Sequence, residues 1–98
     1  MKPIRDRRKK IDEIDEKLVE LLNLRARLAI EIGVLKRRNH LSAVSPARER
    51  AILRRVCHSS TGPLDREAIA RLFRAILAES RRTAASSATA AVPGEYSR

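Results

Sequence analysis

The chain holds a single cysteine, three glycines, four prolines and no tryptophan, and its aromatic content is 2%. One cysteine, Cys57, excludes an internal disulfide, and no Cys/His cluster has metal-ligand spacing, so neither a metal nor any other cofactor is expected. His40 and His58 read as surface residues. One Phe and one Tyr cannot build a stacking platform for single-stranded nucleic acid. Zinc-finger, homeodomain and RNA-recognition signatures are also missing. No apolar run could span a bilayer, and the charged N-terminus lacks the apolar core of a signal peptide. A cytoplasmic protein with no membrane partner is therefore expected, and the lone thiol suits a reducing compartment.

The 98 residues suffice for one small domain, and the formal net charge is +10. Small domains often need a staple or a partner, and with no staple present, oligomerisation is the remaining source of burial. The positive charge invites a nucleic-acid reading, but the cations are spread along the chain. Only Arg5-Asp6-Arg7-Arg8-Lys9-Lys10 is dense, and such a run is usually a solvated helix end. No nucleic-acid partner is expected. An anionic small molecule accounts for part of the charge instead.

Between Arg5 and Arg38 there is no proline, and the only glycine is Gly33. Ile11, Ile14, Leu18, Leu21, Leu28, Ile32 and Leu35 form a heptad seam, so this stretch predicts one long helix. At roughly 50 Å it is too long to bury itself in a compact monomer of this size. A second copy of the chain is the simplest partner. Asn39 to Val44 reads as a loop. Ser45-Pro46 then opens a second helix, with Ser as N-cap and Pro in the first turn; it carries Ile52, Leu53 and Val56 and ends near Ser59-Ser60. Thr61-Gly62-Pro63 is a stop signal, with Gly62 suited to a left-handed C-terminal cap. Asp65 can cap a third helix with an apolar face of Ile69, Leu72, Phe73, Ile76 and Leu77 and a polar face of Arg71, Arg74 and Arg81. Beyond Ala85 the composition becomes small and polar, so residues 1–85 form the domain and 86–98 are expected to be a disordered tail. The fold class is all-α, a three-helix protomer in an intertwined homodimer.

The residues that break these patterns carry the chemistry. Arg25 occupies a seam position, where a buried guanidinium needs either a carboxylate in a structural ion pair or an anionic ligand. Lys36 follows eleven residues later, at about 1100° of rotation, and so projects in nearly the same direction. Two long cations on one face could grip both ends of a small dianion. Ser80 lies on the inward stripe of the third helix, where its hydroxyl either bonds back to a helix carbonyl or faces a polar cavity. Glu49 suits the start of the second helix through the helix dipole; Arg48 does not, which points to another partner for it.

Together these residues resemble the all-helical chorismate mutases. The match runs through Arg8-Lys9-Lys10-Ile11-Asp12-Glu13-Ile14-Asp15-Glu16-Lys17-Leu18 and Leu24-Arg25-Ala26-Arg27-Leu28-Ala29-Ile30-Glu31-Ile32-Gly33. It continues at Lys36, Arg48-Glu49-Arg50, Gly62-Pro63-Leu64 and Leu72-Phe73-Arg74-Ala75-Ile76, and ends at Ser80. It includes the pattern-breaking cations as well as the apolar positions. The resemblance implies rearrangement of chorismate, a small dianion, to prephenate, with Lys36, Arg8 and Arg25 as catalytic residues. It implies that Arg25 binds one carboxylate with help from Ser80, that Arg8 binds the other, and that Lys36 lies near that carboxylate and the ether oxygen. Glu49 and the backbone amide at Ser45 would meet the ring hydroxyl, and Arg48 would support the carboxylate end.

Arg8 and Arg25 are about 25 Å apart along one helix, far more than such a substrate spans, so if both are used Arg8 comes from the partner subunit. In one place the sequence departs from the family. The resemblance predicts Gln or Glu four residues after Ser80, as a donor to the ether oxygen, and this chain has Ala84. Thr83 and Ser87 are the nearest polar residues. An isochorismate-pyruvate lyase of the same fold and a non-catalytic ligand- or partner-binding helical dimer are the alternative readings.

Overall fold

The computed structural model describes residues 1–90, with side chains through residue 87. Three helices follow in chain order: α1 over Lys2–Arg38, α2 over Pro46–Ser59 and α3 over Arg66–Ala90. No strand occurs among the described residues, so the all-α architecture expected from the apolar spacing is the one observed.

α1 starts three residues earlier than the pattern suggested. Pro3 lies in its first turn, where a fixed φ fits the helix and the missing N–H removes no intrahelical bond. Its 37 residues, at about 1.5 Å each, account for the molecule's longest dimension of 56 Å. The helix ends where His40 takes a left-handed φ of 56°. The Asn39 side chain donates to the Leu35 carbonyl at 2.8 Å, and the Leu41 N–H donates to the Lys36 carbonyl at 2.8 Å.

The cap of α2 forms as expected, with the Ser45 hydroxyl accepting the Arg48 N–H at 3.3 Å and Pro46 in the first turn. Its exit differs from expectation. Ser60 leaves the helix in an extended conformation, and Gly62 does not adopt positive φ. Pro63 explains this, because a residue before proline is driven toward extended backbone. The connection is held instead by the Ser60 hydroxyl, which donates to the Leu64 carbonyl at 2.7 Å. Asp65 then caps α3 by accepting the Ala68 N–H at 2.8 Å.

α3 continues to Ala90, five residues past the expected boundary at Ala85. The small residues read as a tail include several alanines, the strongest helix formers, which extend a helix without bulky apolar anchors. Residues 91–98 of the expected tail lie outside the described residues.

α3 is the central element and packs against both α1 and α2. Ile52 of α2 and Leu77 of α3 are buried where these two helices meet, and Leu53, Val56, Ile69, Phe73 and Ile76 are half-buried around them. Leu72, expected on the inward face, is exposed instead, because among the described residues no element covers that side of α3. The long helix is barely covered. Every residue from Met1 to Leu24 is exposed, and the seam residues Ile14, Leu18 and Leu21 are 58%, 51% and 61% exposed. The apolar stripe of α1 therefore stays at least half open along its length among the described residues, with α3 reaching only its C-terminal part.

Candidate functional site

Arg25 begins the part of α1 that α3 covers. Its guanidinium is partly buried and its Nη1 donates to the Ser80 hydroxyl at 2.7 Å, joining α1 to α3. Among the described residues no carboxylate pairs with Arg25, so the protomer forms no structural ion pair there. The same bond gives Ser80 a partner outside its own helix. Its hydroxyl accepts from another helix's cation, beside a hollow of about 290 Å³ lined by Leu22, Asn23, Ala26, Ile76 and Thr83.

One residue further along α3, the direction changes by about 100° and the side chain meets the other helix. Arg81 Nη1 donates to both carboxylate oxygens of Glu49, at 2.5 and 2.6 Å, tying α3 to the first turn of α2. Adjacent residues Ser80 and Arg81 of α3 thus bond Arg25 of α1 and Glu49 of α2, respectively. Sequence reasoning placed Arg81 on the polar face of its helix and missed this pairing. The two partners are 32 positions apart, and no local pattern links them.

Ala84 is half-buried one turn beyond Ser80, inside α3 and well short of its end. It faces α1 at Gly33, where an added Cβ would lie 4.0 Å from the Ala84 methyl. Lys36 is half-buried less than one turn beyond Gly33 and, among the described residues, has no carboxylate partner. Arg48 is exposed beside the cap, also without an ion pair, and Ser45 is half-buried with its hydroxyl engaged by the cap.

Arg8 is the residue that the protomer does not bring in. It is exposed on the uncovered half of α1, about 25 Å along the helix from Arg25. A larger hollow of about 500 Å³ lies elsewhere, between the C-terminal half of α2 and the start of α3, and none of the expected site residues lines it. His40 and His58 are exposed, as expected for surface residues.

The sequence and the fold are both similar to those of known proteins. Residues 7–85 match the family described as chorismate mutase type II. The chain belongs to the chorismate mutase type II family. All eight expected site residues, from Arg8 to Ala84, fall within the matched span. The chain is 44% identical, over 74% of its length, to the bifunctional chorismate mutase/prephenate dehydratase of Neisseria gonorrhoeae. It is 36% identical, over 79% of its length, to the protein of the same description from Aquifex aeolicus. It spans only about a fifth of each of these relatives, 19% and 22% respectively. The chorismate mutase (form II) structure from Thermus thermophilus is similar to it at a TM-score of 0.77 and 34% identity, covering 79% of this chain and 88% of that one.

Proposed function

We propose that the protein is a chorismate mutase acting as a homodimer, and that each site combines Arg25, Lys36, Ser45, Arg48, Glu49, Ser80 and Ala84 of one protomer with Arg8 of the other. The observation that carries the reading is Arg25, a partly buried cation with a hydroxyl partner and no carboxylate. An unpaired guanidinium in such a place is costly unless an anion completes it. Lys36 and Arg48 are likewise free of carboxylates among the described residues, as a site for a dianion requires.

The reaction is a pericyclic rearrangement that needs no proton transfer, nucleophile or metal. Its rate depends on holding the substrate in its folded conformer and stabilising the negative charge that develops on the breaking ether oxygen. Arg25 with Ser80 would take one carboxylate, and Arg8 of the partner subunit the other. Lys36 would lie near that second carboxylate and the ether oxygen, Arg48 would reinforce the carboxylate end, and Glu49 with the Ser45 amide would take the ring hydroxyl.

The uncovered seam of α1 supports the dimer. Seven seam residues, Ile11, Ile14, Leu18, Leu21, Leu28, Ile32 and Leu35, keep at least half of their surface open in the protomer. Covering them is worth on the order of 5–10 kcal/mol per protomer, a sizeable gain for a domain this small. An antiparallel second copy would cover the seam and bring Arg8 toward Lys36. No helix among the described residues is long and apolar enough to cross a membrane, and with a single cysteine we assign the protein to the cytoplasm.

Assaying the purified protein with chorismate and, separately, with isochorismate tests the reading. Prephenate formation supports it. Pyruvate release from isochorismate alone would make it a lyase, and turnover of neither would leave a binding protein.

A further inference from the structure

We infer that Arg81 is a positioning residue for substrate binding: it holds the Glu49 carboxylate from the α3 side and keeps that negative charge away from the cations that grip the dianion. The inference rests on the mutase reading of the same site. Glu49 is the one carboxylate among the expected site residues; it sits in the first turn of α2 next to Arg48, and its partner Arg81 adjoins Ser80, which holds Arg25. An unheld glutamate there would be drawn to the cations of the site and compete with the substrate for them.

The structure shows the alternative in place. Arg81 Nη1 bonds both Glu49 oxygens, at 2.5 and 2.6 Å, with the two side chains 44% and 27% exposed. Arg25, Lys36 and Arg48 are left without a carboxylate among the described residues. The grip does not exhaust Glu49. A carboxylate offers about four lone-pair directions, and one bond to each oxygen leaves the others for a substrate hydroxyl. Ser80, next to Arg81, performs the complementary task on α1 by accepting from Arg25. Adjacent residues of one helix thus sort the site's charges, the cation toward the substrate carboxylate and the anion toward its hydroxyl.

This role predicts a specific kinetic signature. Freed Glu49 would weaken substrate and transition state alike, so Arg81→Ala should raise KM about ten-fold and lower kcat by no more than about three-fold. Arg81→Lys keeps the charge and should return KM to within about three-fold of wild type. In a Glu49→Gln background nothing remains to be held, so adding Arg81→Ala should change KM by less than about two-fold. The experiment is steady-state kinetics with chorismate on wild type, the three single variants and the double variant, with melting temperature measured on each. A wild type that turns over chorismate and an Arg81→Ala effect that is fully additive with Glu49→Gln would overturn the inference. So would a fall in melting temperature with KM unchanged, which would make the pair a structural clip between α2 and α3. A wild type inactive toward chorismate would overturn the mutase reading itself and the inference with it.

Discussion

Replacing Arg25 by leucine separates a residue that binds substrate from one that holds the fold. The guanidinium has one partner in the protomer, the Ser80 hydroxyl at 2.7 Å, and no carboxylate among the described residues. Losing that bond costs about 1 kcal/mol, and the freed Ser80 hydroxyl can turn toward water at a half-exposed wall. The substitution also removes a partly desolvated charge and completes the apolar seam between Leu21 and Leu28. Burial of the new side chain contributes about 1 kcal/mol in the opposite direction. The net change should stay within about 1 kcal/mol, a melting shift of no more than about 8 °C for a domain of this size. Substrate binding has no such compensation. Removing one member of a desolvated charge pair costs about 2–5 kcal/mol, so kcat/KM should fall by roughly 30-fold to 5000-fold. Thermal unfolding, sedimentation and chorismate turnover on the same preparation provide the comparison. A melting temperature lower by far more than about 8 °C would show that Arg25 holds the structure. A kcat/KM within about three-fold of wild type would show that it does not hold the substrate.

The other predictions concern the donor and the interface. Ala84 lies inside α3, facing α1 at Gly33, where α1 has no Cβ and its nearest side-chain atom is the flexible end of Arg37, which can shift. Ala84→Gln should therefore find room and, by offering an amide donor to the ether oxygen, raise kcat about ten-fold or more, within the roughly 100-fold span of one such donor. An unchanged kcat in a folded dimer would show that another group already does this. Leu18 is 51% exposed in the protomer, so Leu18→Glu costs the isolated chain little but places a charge in the proposed interface. Sedimentation should report a monomer that retains helicity and has lost turnover by at least about 100-fold, whereas an active dimer would remove Leu18 from the interface.

What was legible in the sequence was set by local chemistry. The heptad seam pointed to α1, Ser45-Pro46 to the start of α2, and Asp65 to that of α3, each because the signal and its partner lie within a few residues. The boundaries that moved did so where two local signals compete. Pro3 fits a first turn, Pro63 overrides the freedom of Gly62, and the alanines after Ala85 favour helix despite their low bulk. Arg25, Lys36 and Ser80 could be singled out because they interrupt apolar stripes. The Arg81–Glu49 pair could not, since both residues sit where helix-surface charges are ordinary and only the packing of α2 on α3 brings them together. The exposure of Leu72 is of the same kind. A single chain shows which positions are apolar, and the assembly determines which of them are covered.

The central claim is a site shared between two protomers, and mixing two inactive variants tests it most directly. Arg8→Ala and Arg25→Ala should each be nearly inactive alone. After random exchange at equal concentration, about half the dimers are heterodimers, each with one site holding both arginines and one holding neither. Chorismate turnover should therefore recover to about a quarter of the wild-type rate. A mixture that stays inactive after exchange has been demonstrated would contradict the shared site.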